Sequence, residues 1–310
     1  RSSVRVIFLG TGEFARPALS RLAGRHDVVL VVTQPDRPAG RHAEPAAPPI
    51  KEEARSLALP LFQPERINTA ESVVRLRSAE ADILVVAAYG QLLKPEVLDA
   101  APRGAVNLHA SILPAYRGAA PIQWAIRRGE ARSGLTTFQL DRGMDTGPLL
   151  LQRRLDIGPD ETAGDLEQRM AVLGADLILE TLEGLEAGTI VPQPQPEHGA
   201  SLAPRLTKDD GRVDWTKTSA EVHNLVRGMS PWPGAWTLLS GERIKLLQTA
   251  RTGVAVGRIE PGLVGPREAR QLLIACADEL LEVVLVQREG RPRTTGREFL
   301  NGMRSGSRFE

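Results

Sequence analysis

The feature that most restricts the fold is an alternation of short apolar runs with segments of helical periodicity in the first half of the chain. Residues 4–9, 28–32 and 82–88 are short and mainly apolar, as strands buried on both faces are. Helical patterns lie between them. Strands that alternate with helices form a mostly parallel sheet with helices on both faces. We therefore predict an α/β, Rossmann-like first domain.

Polar segments follow the predicted strands, where ligands of such sheets bind. Asn107 and His109 alternate with Leu108, so their side chains should leave the strand on one face. Residues 134–140 are typical of a neighbouring strand, and the glycine-punctuated loop after it contains Asp145. A carboxamide, an imidazole and a carboxylate can therefore converge on one pocket.

These three groups suit acyl transfer. An amide N–H can stabilise negative charge that develops on a carbonyl oxygen. An imidazole can move a proton near neutral pH, and a carboxylate can fix its tautomer. Taken singly, such residues are more often a strand-end asparagine, a buried histidine and a turn aspartate. Their combination indicates a catalytic site.

A long gapped pattern gives this interpretation its specificity. It consists of Asn107, His109, Ser111-Ile-Leu-Pro114, Arg117-Gly118 and Asp145-Thr-Gly147. The pattern resembles the folate-dependent formyltransferases, and the resemblance covers nearly the whole chain. It implies that Asn107, His109 and Asp145 are catalytic. It also implies that the segment of Ser111, Ile112, Leu113 and Pro114 contacts the folate, and that backbone near Leu92 and Asp141 lines the pterin pocket.

The resemblance also implies the reaction. The co-substrate 10-formyltetrahydrofolate donates its formyl group directly to an amine, with no covalent enzyme intermediate and no metal. Asn107 and a protonated His109 would stabilise the oxyanion, and Asp145 would orient His109 and help to relay the proton.

A proline-rich polar loop at residues 33–49 suits ligand binding better than a core connection. In the family, its motif from Gln34 to Arg41 distinguishes members that act on methionyl-tRNA from those that act on sugars or glycinamide ribonucleotide. The resemblance implies that the loop meets the acceptor stem of initiator Met-tRNA through Arg41, and we expect Arg37 to make a second contact. The segment 42–44 lacks two lysines common in the family, which predicts weaker and less salt-sensitive binding.

The composition of the chain changes at residues 191–196, where prolines alternate with other residues. This stretch predicts an interdomain linker. We therefore divide the chain into a catalytic domain at 1–190, a linker at 191–206 and a smaller domain at 207–310. Short strand-like runs in the last part predict a small barrel, and the resemblance implies an OB-like tRNA-binding domain. Its arginine-rich terminus suits phosphate contacts.

The sequence leaves other functions open. Gly10-Thr-Gly-Glu-Phe-Ala15 matches the dinucleotide fingerprint, so an NAD(P)-dependent dehydrogenase using Asp36 is one alternative. It ranks lower because Asp36 follows its strand by several residues, in a loop with proline on both sides. A formyltransferase for amino-sugar nucleotides is the nearer alternative. A non-catalytic RNA-binding module would leave the spacing of the polar trio unexplained.

The composition is that of an ordinary soluble protein, with 42% hydrophobic and 25% charged residues. The single cysteine, Cys276, excludes an internal disulfide and fits a reducing compartment. No apolar run approaches the length of a membrane span. The histidines lack metal-ligand spacing. We therefore expect a cytoplasmic monomer with no membrane partner and no metal.

Overall fold

The structure is a computed structural model that describes residues 3–39, 44–304 and 306–310 of the 310-residue chain. It contains two compact units, each assembled from separate parts of the chain. Unit 1 comprises Arg1–Pro121, Ser133–Leu155 and Glu167–Pro204. Unit 2 comprises Ile122–Arg132, Asp156–Leu166 and Arg205–Glu310.

The first half of the chain forms the predicted sheet. Its strands, with two that form a separate hairpin, are β1 (Arg5–Gly10), β2 (Asp27–Val32), β3 (Arg37–Ala39), β4 (Glu44–Ala46), β5 (Leu61–Phe62), β6 (Ile83–Ala87), β7 (Ala105–His109), β8 (Arg132–Gln139) and β9 (Leu149–Asp156). The order in the seven-stranded sheet is β5-β2-β1-β6-β7-β8-β9. The pairs from β5 to β7 are parallel, whereas β7 and β8 are antiparallel. The prediction of a mostly parallel, Rossmann-like sheet is confirmed.

Helices alternate with these strands along the chain. They are α1 (Arg16–Ala23), α2 (Pro49–Ser56), α3 (Ala70–Arg77), α4 (Pro95–Leu98), α5 (Pro121–Arg127) and α6 (Ala163–Glu186). Local chemistry fixes where they begin. The side chain of Thr69 accepts a hydrogen bond from the Ser72 amide at the start of α3, and prolines stand in the first turn of α1, α2 and α4.

The core of unit 1 lies against the central strands. Ile7 and Leu9 of β1 and Leu84 of β6 are fully buried and pack with Leu30 of β2 and Leu76 of α3. Each such side chain contributes about 1.5 to 3 kcal/mol through burial. The packed centre makes the carboxyl edge of the sheet a rigid base for the polar residues that follow it.

Unit 2 contains an antiparallel sheet. Its elements from residue 205 onward are α7 (Ser219–Gly228), β10 (Ala235–Leu239), β11 (Glu242–Ala255), β12 (Leu273–Ala275), β13 (Glu279–Arg288), β14 (Arg293–Thr295) and α8 (Gly296–Asn301). The strand order is β10-β11-β13-β12, and β14 also pairs with β13. The short strands predicted for a smaller second domain are confirmed. A capping box formed by Thr295 and Glu298 begins α8, which was not predicted.

Part of the predicted linker at residues 191–206 pairs with other segments of unit 1. Leu149 and Gln193 exchange two backbone hydrogen bonds, with N···O distances of 2.7 and 2.9 Å. The Arg117 amide donates to Ser201, and the Ala203 amide donates to Arg117. The physical reason is the alternation with proline, which keeps the segment extended and leaves intervening amides free to pair with a neighbouring segment.

Within the described residues, no helix combines the length and the apolar character needed to cross a bilayer.

Candidate active site

His109 is the last residue of β7 and lies opposite Thr136 of β8. Its side chain is buried, and its Nε2 lies 2.8 Å from the carbonyl oxygen of Tyr116. A carbonyl can only accept, so Nε2 donates the hydrogen. The ring also makes an edge contact with Phe138, with centroids 6.4 Å apart. In the neutral imidazole, Nδ1 is therefore the nitrogen with a free lone pair.

Asp145 lies in the loop after β8 and faces that free nitrogen. Its Oδ2 is 3.7 Å from Nδ1 of His109 and accepts a hydrogen bond of 2.8 Å from the Gly118 amide. The backbone of Asp145 is left-handed, with φ at 56°. Aspartate tolerates this conformation better than most residues do. The 3.7 Å separation is too long for a hydrogen bond but short enough for strong electrostatic coupling.

The charge of His109 depends on three effects, one of which opposes the other two. Burial lowers its pKa, while the nearby Asp145 carboxylate and the hydrogen bond to Tyr116 raise it, and burial has the larger effect. The imidazole is therefore neutral near pH 7. This differs from the protonated imidazole that we expected, because sequence patterns do not show how completely the ring is removed from water.

Asn107 completes the trio on the same face of β7, two residues before His109. In the described part of the chain, its carboxamide makes no hydrogen bond and so can donate to a ligand. Together with Asp145 it lines a cavity of about 90 Å³. The other lining residues are Val86, Gln91, Leu92, Leu93, Leu98, Leu140, Asp141, Gly143 and Met144. Since Leu92 is 64% and Met144 is 54% exposed, the cavity is accessible from solvent.

The structure separates the residues predicted to contact folate into two groups. Leu92 and Asp141 line the cavity beside Asn107. The segment of Ser111, Ile112, Leu113 and Pro114 is not part of the lining. Its backbone is hydrogen-bonded to a side chain of β8, since the Leu113 amide donates to Thr136 Oγ1 over 3.1 Å. Folate contacts by that segment stay a prediction.

One of the two predicted tRNA-binding residues lies in the antiparallel pair of β3 and β4. Arg37, in β3, is exposed and forms an ion pair with Glu65 over 3.2 Å. Arg41 lies outside the described residues. Asp36, which a dinucleotide enzyme would need for a ribose, has its carboxylate bound by Lys51, at 2.6 and 2.7 Å, and by Gln63, at 2.8 Å. Because the Asp36 carboxylate already binds these two side chains, it is poorly placed to bind a ribose, which disfavours the NAD(P)-dependent dehydrogenase.

Cavity volume alone does not identify the site. A larger cavity of about 590 Å³ lies elsewhere in unit 1, where Arg25 pairs with Glu183 at 2.8 Å and Arg153 pairs with Glu180 at 2.7 Å. Its charged groups thus neutralise one another. Among residues 3–39, 44–304 and 306–310, no group of three or more His, Cys, Asp or Glu could bind a metal ion.

Sequence patterns missed the groups that position the trio. The carbonyl of Tyr116 and the amide of Gly118 are backbone atoms, and side-chain motifs cannot reveal their roles. Gln195 was also missed, because it lies in the stretch that we interpreted as a linker. Its carboxamide donates to the carbonyls of Asp145 and Gly147.

Comparison with known proteins defines the class. The family model described as formyl transferase matches residues 4–182. The model described as formyl transferase, C-terminal domain, matches residues 205–304. The chain is therefore a member of the formyl transferase class, which confirms the resemblance drawn from its motifs.

Full-length relatives narrow this assignment. The chain is 48% identical to the methionyl-tRNA formyltransferase of Solibacter usitatus, covering 97% of this chain and 96% of the relative. It is 47% identical to that of Acidobacterium capsulatum, covering 96% of each. The chain belongs to the methionyl-tRNA formyltransferase family.

A solved structure supports the fold alone. The N-formyltransferase from Helicobacter canadensis, in complex with folinic acid and dTDP-3-aminofucose, matches with a TM-score of 0.70 and 19% identity. The match covers 93% of this chain and 100% of that one.

Proposed function

We propose that this chain transfers the formyl group of 10-formyltetrahydrofolate to the α-amine of methionine on initiator Met-tRNA, giving formylmethionyl-tRNA. The observation that supports this most directly is the convergence of Asn107, His109 and Asp145 at one edge of the sheet. The match to relatives named methionyl-tRNA formyltransferase over nearly the whole chain supports the choice of acceptor.

The first step is attack of the free α-amine on the formyl carbon. A new C–N bond forms, and the formyl oxygen becomes an oxyanion. The carboxamide of Asn107 donates a hydrogen bond to that oxygen, since it has no partner within the described part of the chain. A preorganised donor of this kind is worth about 10² to 10³ in rate.

The second step moves a proton from the attacking nitrogen to the leaving one. His109 is neutral, with its Nε2 hydrogen donated to Tyr116, so Nδ1 accepts the proton of the attacking amine. The carboxylate of Asp145, 3.7 Å away, stabilises the resulting imidazolium. The imidazolium then protonates N10 of the folate as the C–N10 bond breaks. Tetrahydrofolate leaves, and the enzyme returns to its starting protonation state.

Binding of the donor fits the cavity beside Asn107. The apolar side chains of Leu92 and Met144 are more than half exposed at this cavity and offer surface for the flat pterin ring. A pterin is larger than the cavity itself, so we expect the ring to extend past these two residues. Contact of the folate with residues 111–114 is part of the same proposal.

Binding of the acceptor involves the loop around Arg37 and, by resemblance, Arg41, at the end of the acceptor stem. Arg37 is exposed, and a guanidinium suits phosphate contacts. A monomeric state and a cytoplasmic location stay predictions.

The test is transfer of labelled formyl from 10-formyltetrahydrofolate to four acceptors: Met-charged initiator tRNA, uncharged tRNA, free methionine and an amino-sugar nucleotide. We expect label only on the charged tRNA. Label on the sugar would replace the proposed acceptor while keeping the proposed chemistry. Transfer to none of the four would contradict the proposal.

A further inference from the structure

The carboxamide of Gln195 bridges two loops of unit 1. Its Nε2 donates to the carbonyl of Asp145 at 2.8 Å and to that of Gly147 at 2.9 Å. Its Oε1 accepts from Nε and Nη2 of Arg117 at 3.2 and 2.6 Å. Both amide hydrogens and the amide oxygen are therefore used, which fixes the orientation of the group.

The two bridged loops provide the groups on either side of the His109 ring. The Arg117 loop supplies the Tyr116 carbonyl, which binds Nε2 at 2.8 Å. The other loop supplies Asp145, whose Oδ2 faces Nδ1 at 3.7 Å. A further hydrogen bond, from the Gly118 amide to Asp145, joins the same two loops. The distance between the loops therefore determines how both ring nitrogens are contacted.

Both loops adopt conformations that need support. Tyr116 and Asp145 are in the left-handed region, with φ values of 61° and 56°. Such residues persist where surrounding contacts determine the conformation. The side chain of Gln195 makes contacts of this kind with the backbone of Asp145 itself. Without Gln195, the backbone carbonyls of Asp145 and Gly147 would each lose one hydrogen bond.

We propose that Gln195 is a positioning residue for formyl transfer, acting through Asp145 and Tyr116 on His109. The inference rests on the proposed function, because it concerns the rate of that reaction. Gln195 touches no reacting atom. A displacement of about 1 Å at a reacting group can cost on the order of 10²-fold in rate. Removing the bridge should therefore reduce kcat without weakening substrate binding.

Three variants distinguish a positioning role of Gln195 from a purely structural one. Gln195→Ala removes all four contacts. Gln195→Glu has nearly the same shape and keeps an acceptor for Arg117, but it places an oxygen against two carbonyl oxygens. The matched control is Gln193→Ala, two residues away. Among the residues that the structure describes, the Gln193 Nε2 donates only to the Val191 carbonyl, and the pairing of Gln193 with Leu149 uses backbone atoms.

The first measurement is steady-state formyl transfer to charged initiator tRNA, expressed per folded enzyme. We expect kcat to fall about 10- to 100-fold in both Gln195 variants, with KM for each substrate within about twofold of the wild type. The Gln193 variant should match the wild type. Unchanged kcat in Gln195→Ala, a loss of thermal stability alone, or a rise in KM for tRNA alone would each overturn the inference.

The second measurement uses the free enzyme and does not depend on the reaction. In enzyme labelled with ¹⁵N-histidine, Gln195→Ala should shift the imidazole resonances of His109, while Gln193→Ala should not. Unchanged His109 resonances would overturn the inference. A wild-type enzyme that fails to formylate charged tRNA would contradict the proposed function instead, and the NMR result would still decide whether Gln195 positions His109.

Discussion

Replacing Asp145 with asparagine tests how charge at one atom supports the proposed chemistry. Asparagine has the same shape, tolerates the left-handed backbone at this position and can still accept from the Gly118 amide. The backbone carbonyl of residue 145 keeps its contact with Gln195. The substitution therefore removes the negative charge and changes little else.

The expected loss in kcat follows from the distance between the Asp145 carboxylate and the His109 ring. A carboxylate and an imidazolium 3.7 Å apart attract each other by about 4 kcal/mol at an effective dielectric constant of about 20. If the transition state places the proton on His109, that attraction is lost in the variant. Since each 1.4 kcal/mol is about tenfold in rate, kcat should fall by about 10³. This agrees with the range of about 10² to 10⁴ for acid–base groups.

The assay is single-turnover transfer of labelled formyl to Met-charged initiator tRNA, with the melting temperature measured in parallel. The control is Asp27→Asn, which also removes a carboxylate of unit 1. Asp27 is the first residue of β2, at the amino end of that strand, and forms an ion pair with exposed Arg5. We expect the control to be fully active. A folded Asp145→Asn enzyme with a rate within threefold of the wild type would refute the electrostatic reasoning.

Three further predictions concern other residues. Asn107→Ala should lower kcat by about 10² to 10³ and leave the melting temperature nearly unchanged, as single-turnover kinetics and thermal unfolding will show. Arg37→Ala should raise KM for Met-tRNA but not for folate, and should reduce the salt slope of tRNA binding by about one, measured by filter binding. Burial lowers the pKa of His26, His109 and His223. As the pH falls, these histidines therefore take up protons at a higher pH in the unfolded chain than in the folded one. The free energy of unfolding, measured in urea, should be highest above about pH 6.5 and should decrease as the pH drops below it.

Much of the fold follows from local sequence patterns. Strands such as β6 are short apolar runs, and their period and length are enough to predict them. The hairpin of β3 and β4 was missed because Arg37–Ala39 and Glu44–Ala46 each contain a proline, which the patterns associate with loops. Sequence patterns also do not show contacts between distant segments, such as those that group Ile122–Arg132 and Asp156–Leu166 with unit 2.

In the candidate site, too, some groups were predictable from local sequence patterns and others were not. Asn107 and His109 were predictable because their spacing on one strand places both side chains on one face. Backbone groups such as the Tyr116 carbonyl have no side-chain signature, and the neutral state of His109 depends on burial that only tertiary packing provides. Gln195 was hidden for a third reason, since proline-rich segments favour an interpretation as linkers.

The most direct test of the central claim is the single-turnover rate of formyl transfer to Met-charged initiator tRNA by His109→Ala, beside the wild type. Circular dichroism and thermal unfolding confirm that the variant is folded. The account predicts a loss of about 10² to 10⁴ in rate, because the variant has no group to carry the proton between the two nitrogens. A folded His109→Ala enzyme with a near-normal rate would contradict it.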